Sequence, residues 1–426
     1  LACGALPAWR ATRRGIAAAV SRIGRGTSAD SRSQRALVAG QIAIATLLLC
    51  STALMLRSYY KLTHEDPGFD AAHSVTFHVG AAWEEDRAAV GRMQLALVSA
   101  LARIPGVTAV GFANFLPASN ATIRYQVDLE GAAPSLQGNG RDHLTVGERS
   151  ITGGYLQALG ARMVAGTTCP DLDVMRNTGP KALVNRQFVA EYAGGQNVVG
   201  HLLRWTQEGP GGSASEIVGV VDDIREDNLR AAAVPYVYVC ITPGYWPDPE
   251  YAVRSRGNPR ALLGAVRALV HDVAPTRALF GLMTLQDDLD ETLGQTRLQT
   301  AVIAAFGVAA VGLAVIGLYG LVALAVTTRR REIGIRIALG AEPRRVVWEV
   351  VARVAWLLAG GAAVGLLLTL AAQRELRTLV FGVAALDPAT LAVAVLVLGI
   401  AASIATILPA LRAARIDPAS AMRDGG

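Results

Sequence analysis

The sequence predicts an α+β membrane protein with four transmembrane helices and a large mixed α/β extracytoplasmic domain inserted between helices 1 and 2. Of its 426 residues, 52% are hydrophobic and 17% are charged, and the mean hydropathy is +0.35. This is more apolar than an average soluble protein. Segments of ~20 apolar residues cross a bilayer, and four such segments carry no charge: 36–56, 301–326, 354–372 and 390–408. Four buried helices of a soluble protein are the alternative interpretation.

The apolar segments divide the chain into nine parts. We predict a cytoplasmic segment (1–35), helix 1 (36–56), an outer domain (57–298), helix 2 (299–326), a cytoplasmic connecting helix (327–345), helix 3 (346–372), a short outer loop (373–387), helix 4 (388–411) and a cytoplasmic tail (412–426).

The distribution of arginine sets the orientation of these helices. Arginines precede helix 1, lie between helices 2 and 3 and follow helix 4, whereas loop 373–387 carries only Arg374 and Arg377. Short cytoplasmic loops are enriched in Lys and Arg, so both termini are predicted inside. The net charge of +6 follows from this topology, and no nucleic-acid partner is predicted.

The outer domain is predicted to be mixed α/β. Alternating or β-branched runs predict strands, and apolar residues at helical spacing predict helices. The predicted strands cover 74–79, 107–115, 123–129, 216–221, 234–241 and 251–254, and the predicted helices cover 84–104 and 259–274. Residues 181–194 are predicted to form a strand followed by a helix. A strand–helix–strand pattern near both ends of the domain suggests one α/β layer split by an insert of about residues 135–248.

Catalytic motifs are missing from the sequence. Neither Lys61 nor Lys181 lies in G-x-x-x-x-G-K-[ST], and none of the six histidines forms H-E-x-x-H or pairs with Cys at zinc spacing. We therefore predict no catalytic residue, no metal and no enzyme. Cys169 and Cys240 share the outer compartment, so a disulfide is allowed, but the sequence leaves it open.

An arginine-containing motif occurs twice. "ALPAWRATR" at 5–13 resembles "ILPALRAAR" at 407–415, where helix 4 reaches the cytoplasm. The first copy predicts that another span precedes residue 1 and that this chain is the second half of a longer polypeptide. Chance agreement in a chain rich in Ala, Leu and Arg is the alternative.

The connecting helix has the surface of a docking element. In "REIGIRIALGAEPRR" (331–345), apolar, charged and small side chains fall on different sides. The predicted docking residues are Glu332, Ile333, Gly334, Arg336, Ile337, Ala338, Gly340 and Ala341. In helix 2, Gly312, Gly317 and Gly320 are predicted to allow close helix packing. An interfacial helix lying on lipid is the alternative for the connecting helix.

At these residues the chain resembles the MacB/FtsX-type ABC transporter permeases, the mechanotransmission family. Similar stretches are "DPGFD" (66–70), "GGYLQALGARMVAG" (153–166), "EIVGVVDDIR" (216–225) and "LVFGVAALDPAT" (379–390). The resemblance covers nearly the whole chain and is greatest to the subfamily with two fused modules and a MacB-like periplasmic core domain. "GTTCPD" (166–171) departs from the family at Cys169.

The resemblance implies a permease in the bacterial inner membrane with its large domain in the periplasm. ATP is bound by a separate cytoplasmic ABC ATPase dimer, and this chain holds no cofactor. The residues at 332–341 become the ATPase-coupling helix. A second permease module, either a fused upstream half or a homodimer mate, and a periplasmic adaptor are the other implied partners. Efflux of a drug, peptide or lipoprotein is the implied activity.

Two other functions compete with efflux. Some members of the wider family transmit a signal to a periplasmic partner, such as a cell-wall hydrolase, without transport. A membrane-anchored outer enzyme is the third interpretation, and the missing motifs argue against it. The sequence does not identify the substrate.

The arginine asymmetry can be tested by cysteine labelling in intact cells. Single cysteines placed within residues 130–250 should react with a membrane-impermeant maleimide added outside, because this domain is predicted outside. Single cysteines within 327–345 should react only after permeabilisation. Labelling of 327–345 in sealed cells would reverse the orientation and remove the docking role.

Overall fold

The computed structural model describes residues 27–119, 121–130, 143–170, 179–209, 212–328, 343–372 and 388–414. The chain divides into two compact units. One comprises Leu1–Thr63 with Thr296–Gly426, and the other comprises His64–Gln295.

The first unit is helical. Its long helices are α1 (Thr27–His64), α6 (Leu285–Thr328), α7 (Pro343–Ala371) and α8 (Pro388–Ala414), of which α1 and α6 extend past the unit boundary. Helices suit apolar surroundings because each backbone N–H and C=O finds its partner within the same segment. Among the described residues, three helices are long and apolar enough to cross a membrane: Ser33–His64, Leu285–Ala325 and Val354–Ala371. The apolar part of α8, Leu391–Ile407, is shorter, so the fourth span stays a prediction.

All four helices contribute to one apolar core. It contains buried side chains from α1 (Val38, Ile42, Ala45), α6 (Ala314, Leu318, Val322), α7 (Val354) and α8 (Leu398, Ala402, Ala405). These side chains repeat every three or four residues along α1, α6 and α8, so each of these helices presents one stripe to the core. Much of the remaining apolar surface is exposed.

The second unit begins with a four-stranded antiparallel layer. Its strand order is β11 (Leu279–Thr284), β1 (Ser74–Val79), β10 (Glu250–Ser255) and β2 (Val107–Ala113). Helices α2 (Arg87–Leu101) and α5 (Leu263–Val273) pack together, and a 3₁₀ turn at Pro259–Leu262 precedes α5. The layer therefore combines strands from both ends of the domain.

Six further strands of this unit close into a ring. Its members are β3 (Ile123–Leu129), β4 (Leu144–Ile151), β6 (Lys181–Asn185), β7 (Leu202–Gly209), β8 (Gly212–Val221) and β9 (Tyr236–Cys240). Pairing runs β4–β3–β7–β8–β6–β9 and returns from β9 to β4, with β4–β9 and β6–β8 parallel. The ring begins at Ile123, earlier than the boundary of about 135 expected for the insert.

Short elements complete the second unit. Helix α3 (Tyr155–Ala158) follows β4, strand β5 (Met163–Gly166) pairs with β8 outside the ring, and helix α4 (Arg186–Tyr192) follows β6. The polar amide of Asn185 caps α4 by accepting from the Phe188 N–H at 3.0 Å, as expected of an Asn at a helix start.

Each strand predicted from periodicity is present, and the structure adds four strands that periodicity does not predict: β4, β5, β7 and β11. β4 reads "LTVGERSI", in which adjacent charges interrupt the apolar pattern. Strand β11 ends at Thr284, and helix α6 begins at the next residue, Leu285.

A disulfide joins Cys169 to Cys240, the question that the sequence left open. Their Cα atoms are 5.6 Å apart, and 71 positions separate them in the chain. The bridge fastens the segment after β5 to the end of β9. Closing a loop of this length typically stabilises a fold by about 2–4 kcal/mol, by restricting the unfolded chain.

Candidate functional site

The predicted docking residues, Glu332 to Ala341, lie outside the described residues. Helix α6 ends at Thr328 and α7 begins at Pro343, so the segment connects these two helices in sequence. The coupling assignment stays a prediction based on sequence.

The three predicted packing glycines differ in their surroundings. A Cβ on Gly317 would lie 2.3 Å from Gln41 Oε1 and 3.5 Å from Val38 Cγ2, both on α1. At Gly312 and Gly320 a Cβ would meet nothing within 4 Å in the described part of the chain. Gly317 thus lies where α6 approaches α1, and the prediction that all three serve helix packing stays open.

Helices α7 and α1 also approach each other closely. They do so at two glycines that the sequence analysis did not single out. A Cβ on Gly361 would lie 2.7 Å from Ile42 Cγ2, and one on Gly365 would lie 2.5 Å from both Ala43 O and Thr46 Cβ. Their spacing of four residues is the small-x-x-x-small pattern of close helix contacts. That spacing was the available sequence signal.

Polar atoms add to the contact between α1 and α6. The Thr52 hydroxyl is 2.7 Å from Leu48 O in its own helix and 3.2 Å from Ile303 O across the interface. A Cβ on Gly307 would lie 3.0 Å from the same hydroxyl oxygen. Interhelical hydrogen bonds of this kind contribute about 0.6 kcal/mol each in membranes. Helix α1 is therefore held by α6 and α7 together.

The second unit contains a buried ion pair between β4 and the loop after β8. Arg149 donates to Glu226 Oε2 from Nε at 3.0 Å and from Nη2 at 2.7 Å. Their side chains are 0% and 1% exposed. Gly147, two positions before Arg149, leaves room for the Tyr236 ring, which a Cβ would approach to 2.1 Å.

This ion pair fixes the loop against the ring. Removing one partner of a buried pair typically destabilises a protein by about 3–5 kcal/mol, because the other charge is left without compensation. A backbone hydrogen bond joins this loop to the loop between β2 and β3, since Ala118 N–H donates to Glu226 O at 2.9 Å. Arg149 therefore positions the two loops that cover this part of β4.

Glu148 is a second buried charge on β4. Strand side chains alternate, so Glu148 and Arg149 point to opposite faces. The Ser150 hydroxyl donates to Glu148 Oε1 at 2.7 Å, and Asn114 Nδ2 donates to Oε2 at 3.3 Å. Burial raises the pKa of Glu148 to about 7, although these hydrogen bonds and the Arg149 charge act in the opposite direction. Glu148 therefore changes its charge near neutral pH.

Residues 304–418 match the FtsX-like permease C-terminal family. Over 222 residues the chain is 29% identical to the pyoverdine export ATP-binding/permease protein PvdT of Pseudomonas syringae pv. tomato, covering 49% of this chain and 33% of the relative. Over 167 residues it is 30% identical to the macrolide export ATP-binding/permease protein MacB of Marinobacter nauticus, covering 37% of this chain and 25% of the relative. The matches thus span about a third or less of these relatives' length.

Two solved structures are similar to the α/β region. The periplasmic region of MacB from Actinobacillus actinomycetemcomitans has 12% identity and a TM-score of 0.35, covering 55% of this chain and 98% of that one. The extracellular domain of the noncanonic ABC-type transporter YknZ from Gram-positive bacteria has 14% identity and a TM-score of 0.32, covering 50% of this chain and 100% of that one.

The apolar helices and the mixed α/β domain fit a membrane permease component. Residues 304–418 match the FtsX-like permease C-terminal family, and parts of the chain are similar to the export permeases PvdT and MacB. The resemblance inferred from the sequence is confirmed.

The contact at Gly365 can be tested in the full chain in detergent. Gly365→Leu should destabilise the helical unit by about 1–3 kcal/mol or more, because the new side chain overpacks the contact with Thr46 and Ala43. The SDS concentration at which helix packing is lost measures this change. Gly360→Leu is the matched control, since a Cβ there meets nothing within 4 Å. Equal destabilisation by Gly365→Leu and Gly360→Leu would contradict the close contact between α7 and α1 at Gly365.

The raised pKa of Glu148 predicts a pH dependence of stability. The folded-state pKa of about 7 lies above the ordinary value of 4.5, so the folded protein binds this proton more tightly than the unfolded chain. Stability from this group is present below pH 4.5 and is lost as pH rises to about 7, by on the order of 3 kcal/mol.

Glu148→Gln should therefore lose less stability than the parent between pH 5 and pH 8. Near-UV circular dichroism of the full chain during thermal unfolding measures the difference. Glu191→Gln is the control, because Glu191 is exposed. A parent and a Glu148→Gln variant with the same pH profile would show that this carboxyl does not titrate in that range.

Proposed function

We propose that this chain is the membrane permease subunit of an ABC-type export system. A separate cytoplasmic ATPase binds ATP and dimerises, and its motion reaches the extracytoplasmic domain through the permease helices. The chain lies in the bacterial inner membrane with four spans, and the domain between helices 1 and 2 lies in the periplasm. The observation that carries this proposal is the FtsX-like match at residues 304–418, which contains the proposed docking residues.

Three features support the ATPase coupling. Both curated relatives are named as ATP-binding/permease proteins. The 426 residues contain no G-x-x-x-x-G-K-[ST] segment, so another polypeptide or region supplies the nucleotide site. The stretch 331–345 is charged and glycine-containing between two apolar segments, as a helix seated in a partner's groove would be.

The helix contacts support a role in transmitting motion. Helices packed through glycines move as bodies, because backbones in direct contact leave little side-chain material to deform. In α1, close contacts with both α6 and α7 would pass displacement of one helix to the others. A second permease module, fused or in a separate copy, completes the proposed assembly and provides a second docking helix for the ATPase dimer.

The disulfide and the two relatives bear on the direction and the cargo of transport. The disulfide Cys169–Cys240 supports an oxidising compartment for the α/β domain, which agrees with the periplasm. The two relatives are named for export of pyoverdine and of macrolides. We therefore favour export of a small molecule over signalling without transport. An adaptor in the periplasm would be the further partner of such a system.

The docking role is tested with Gly334→Leu and Gly340→Leu in the full-length protein. Each should reduce co-purification of the ATPase at least tenfold, because a leucine fills space that a closely packed partner backbone needs. Glu332→Lys should weaken the complex by about 1–3 kcal/mol if its carboxylate accepts hydrogen bonds from the ATPase.

A glycine in open surroundings provides the control. Gly399→Leu inserts the same side chain in α8, where a Cβ meets nothing within 4 Å, and it should retain the ATPase. Membrane insertion of every variant is checked by fractionation. Normal ATPase capture by both Gly334→Leu and Gly340→Leu would refute the docking role.

A further inference from the structure

A preformed aromatic cleft lies in the second unit, between α2 and the loop that connects β9 to β10. It has a volume of about 620 Å³ and is lined by Trp83, Arg87, Ala88, Thr242, Pro243, Gly244, Tyr245 and Trp246. Its two walls are the N-terminal turn of α2 with the preceding Trp83, and the loop 242–246 that connects β9 to β10. Small-molecule sites occupy about 300–1,000 Å³.

Aromatic rings form most of the surface of this cleft. Trp83 and Trp246 meet edge to face, with ring centroids 5.0 Å apart and an interplanar angle of 82°. Trp83 nevertheless remains 51% exposed and Tyr245 remains 43% exposed. Large aromatic side chains left open beside each other offer a flat ligand both a stacking face and an edge contact.

The loop 242–246 is held rigidly against α2 by one buried amide. Gln94 is 0% exposed. Its Oε1 accepts from Gly244 N–H at 2.7 Å, and its Nε2 donates to Trp246 O at 2.8 Å. Both hydrogen bonds are made to backbone atoms, so they fix the course of the loop itself.

Glycines bring the loop close to the helix. Gly244 has φ +87°, and a Cβ there would lie 2.4 Å from Arg87 O; a Cβ on Gly91 would lie 2.9 Å from Pro243 O. Neither position accepts a side chain without movement of the backbone. The cleft is therefore formed before any ligand arrives, and binding does not have to order the loop.

Among the described lining residues, Arg87 carries a positive charge, and it lies over an aromatic ring. The Arg87 guanidinium lies 4.8 Å from the centroid of the Trp83 ring, and its Nη1 donates to Tyr245 O at 3.1 Å. This one hydrogen bond leaves other N–H donors of the five in a guanidinium available. Two of the three adjacent acids are engaged elsewhere: Glu85 pairs with Arg277, and Asp86 caps α2 by accepting from Ala88 N–H. Glu84, next to Trp83, is exposed.

The lining also argues against a sugar as the ligand. Sugars expose many hydroxyl groups, and each hydroxyl that loses water needs a partner. Among the eight described lining residues there is no Asp, Glu, Asn or Gln side chain. The polar side-chain groups are those of Arg87, Thr242 and Tyr245 and the indole N–H groups of Trp83 and Trp246, of which that of Trp246 donates to Asp248 O at 3.1 Å. This set suits a ligand with one acceptor group.

From this geometry we propose that the cleft is a binding site for a small planar aromatic molecule that carries one carboxylate. The planar aromatic part of the ligand lies against Trp83 and Trp246, and its carboxylate accepts hydrogen bonds from Arg87. Charge-assisted contacts between a guanidinium and a carboxylate are strong and directional. This site does not depend on ATPase docking, so the proposed permease function and the cleft can fail separately.

The test uses the full chain in lipid nanodiscs without ATPase. 2-Naphthoate is titrated calorimetrically, with 2-naphthalenemethanol as its neutral counterpart and empty nanodiscs as the blank for lipid partitioning. We expect saturable binding of 2-naphthoate at one site per chain. Trp83→Ala should weaken it at least tenfold, whereas Trp83→Tyr should stay within about threefold, because an aromatic face remains.

The charge contact has its own variant. Arg87→Gln should weaken 2-naphthoate about tenfold and leave the neutral alcohol unchanged, since only the carboxylate uses the cation. Matched controls in the same domain are Phe280→Ala, at a residue that is 59% exposed, and Arg92→Gln, at an exposed residue on α2. Both should bind like the parent.

Several results would overturn the proposal. These are the absence of saturable 2-naphthoate binding, equal affinity in Trp83→Ala and the parent, or equal losses of both probes in Arg87→Gln. Saturation by a proline-rich peptide without 2-naphthoate binding would also overturn it and assign the cleft to peptides. Should Trp83→Ala fail to fold by circular dichroism, the selective effect of Arg87→Gln still decides.

Discussion

A backbone N–H or C=O group that leaves water needs a hydrogen-bond partner, and the described residues of both units supply such partners through helices and paired strands. In the helical unit, α1, α6, α7 and α8 make these hydrogen bonds within each segment. In the α/β unit, six strands reach the same end by closing into a ring, because each strand then has a neighbour on both sides. The remaining features are placed on these two frameworks.

Where the backbone is already satisfied, side chains determine how closely elements approach. In the helical unit, glycines let α6 and α7 come into contact with α1 at Gly317, Gly361 and Gly365. In the α/β unit, β4 instead carries Glu148 and Arg149 on opposite faces. Each charge has its own partners, Ser150 and Asn114 for one and Glu226 for the other. The proposed transmission of motion would need both properties, since close contacts carry displacement and paired buried charges keep the α/β domain in one conformation.

The sequence was sufficient for the features that depend on composition or regular spacing. Long charge-free segments predicted the long apolar helices, and alternation predicted strands such as β1 and β3. Alternation did not predict β4, because "GERS" places polar residues on both faces of the strand. Neither face therefore shows an apolar pattern. Whether the strand forms depends on partners that are distant in the chain, above all Glu226 and Asn114. Similarly, spacing shows that glycines recur in α6, but the side that faces α1 is set by tertiary packing. The docking residues at 332–341 rest on sequence alone.

The bridge between Cys169 and Cys240 has a consequence for biogenesis and for production of the protein. Its second cysteine ends β9, the strand that closes the ring between β6 and β4. The bridge can form only after both segments have been synthesised and have reached an oxidising compartment. In the proposed topology, the α/β domain would therefore complete its maturation late, after most of its length has crossed the membrane. A laboratory preparation from a reducing cytosol would yield a domain that lacks this covalent link, and an oxidising expression host or an oxidative refolding step is the appropriate source for biophysical work.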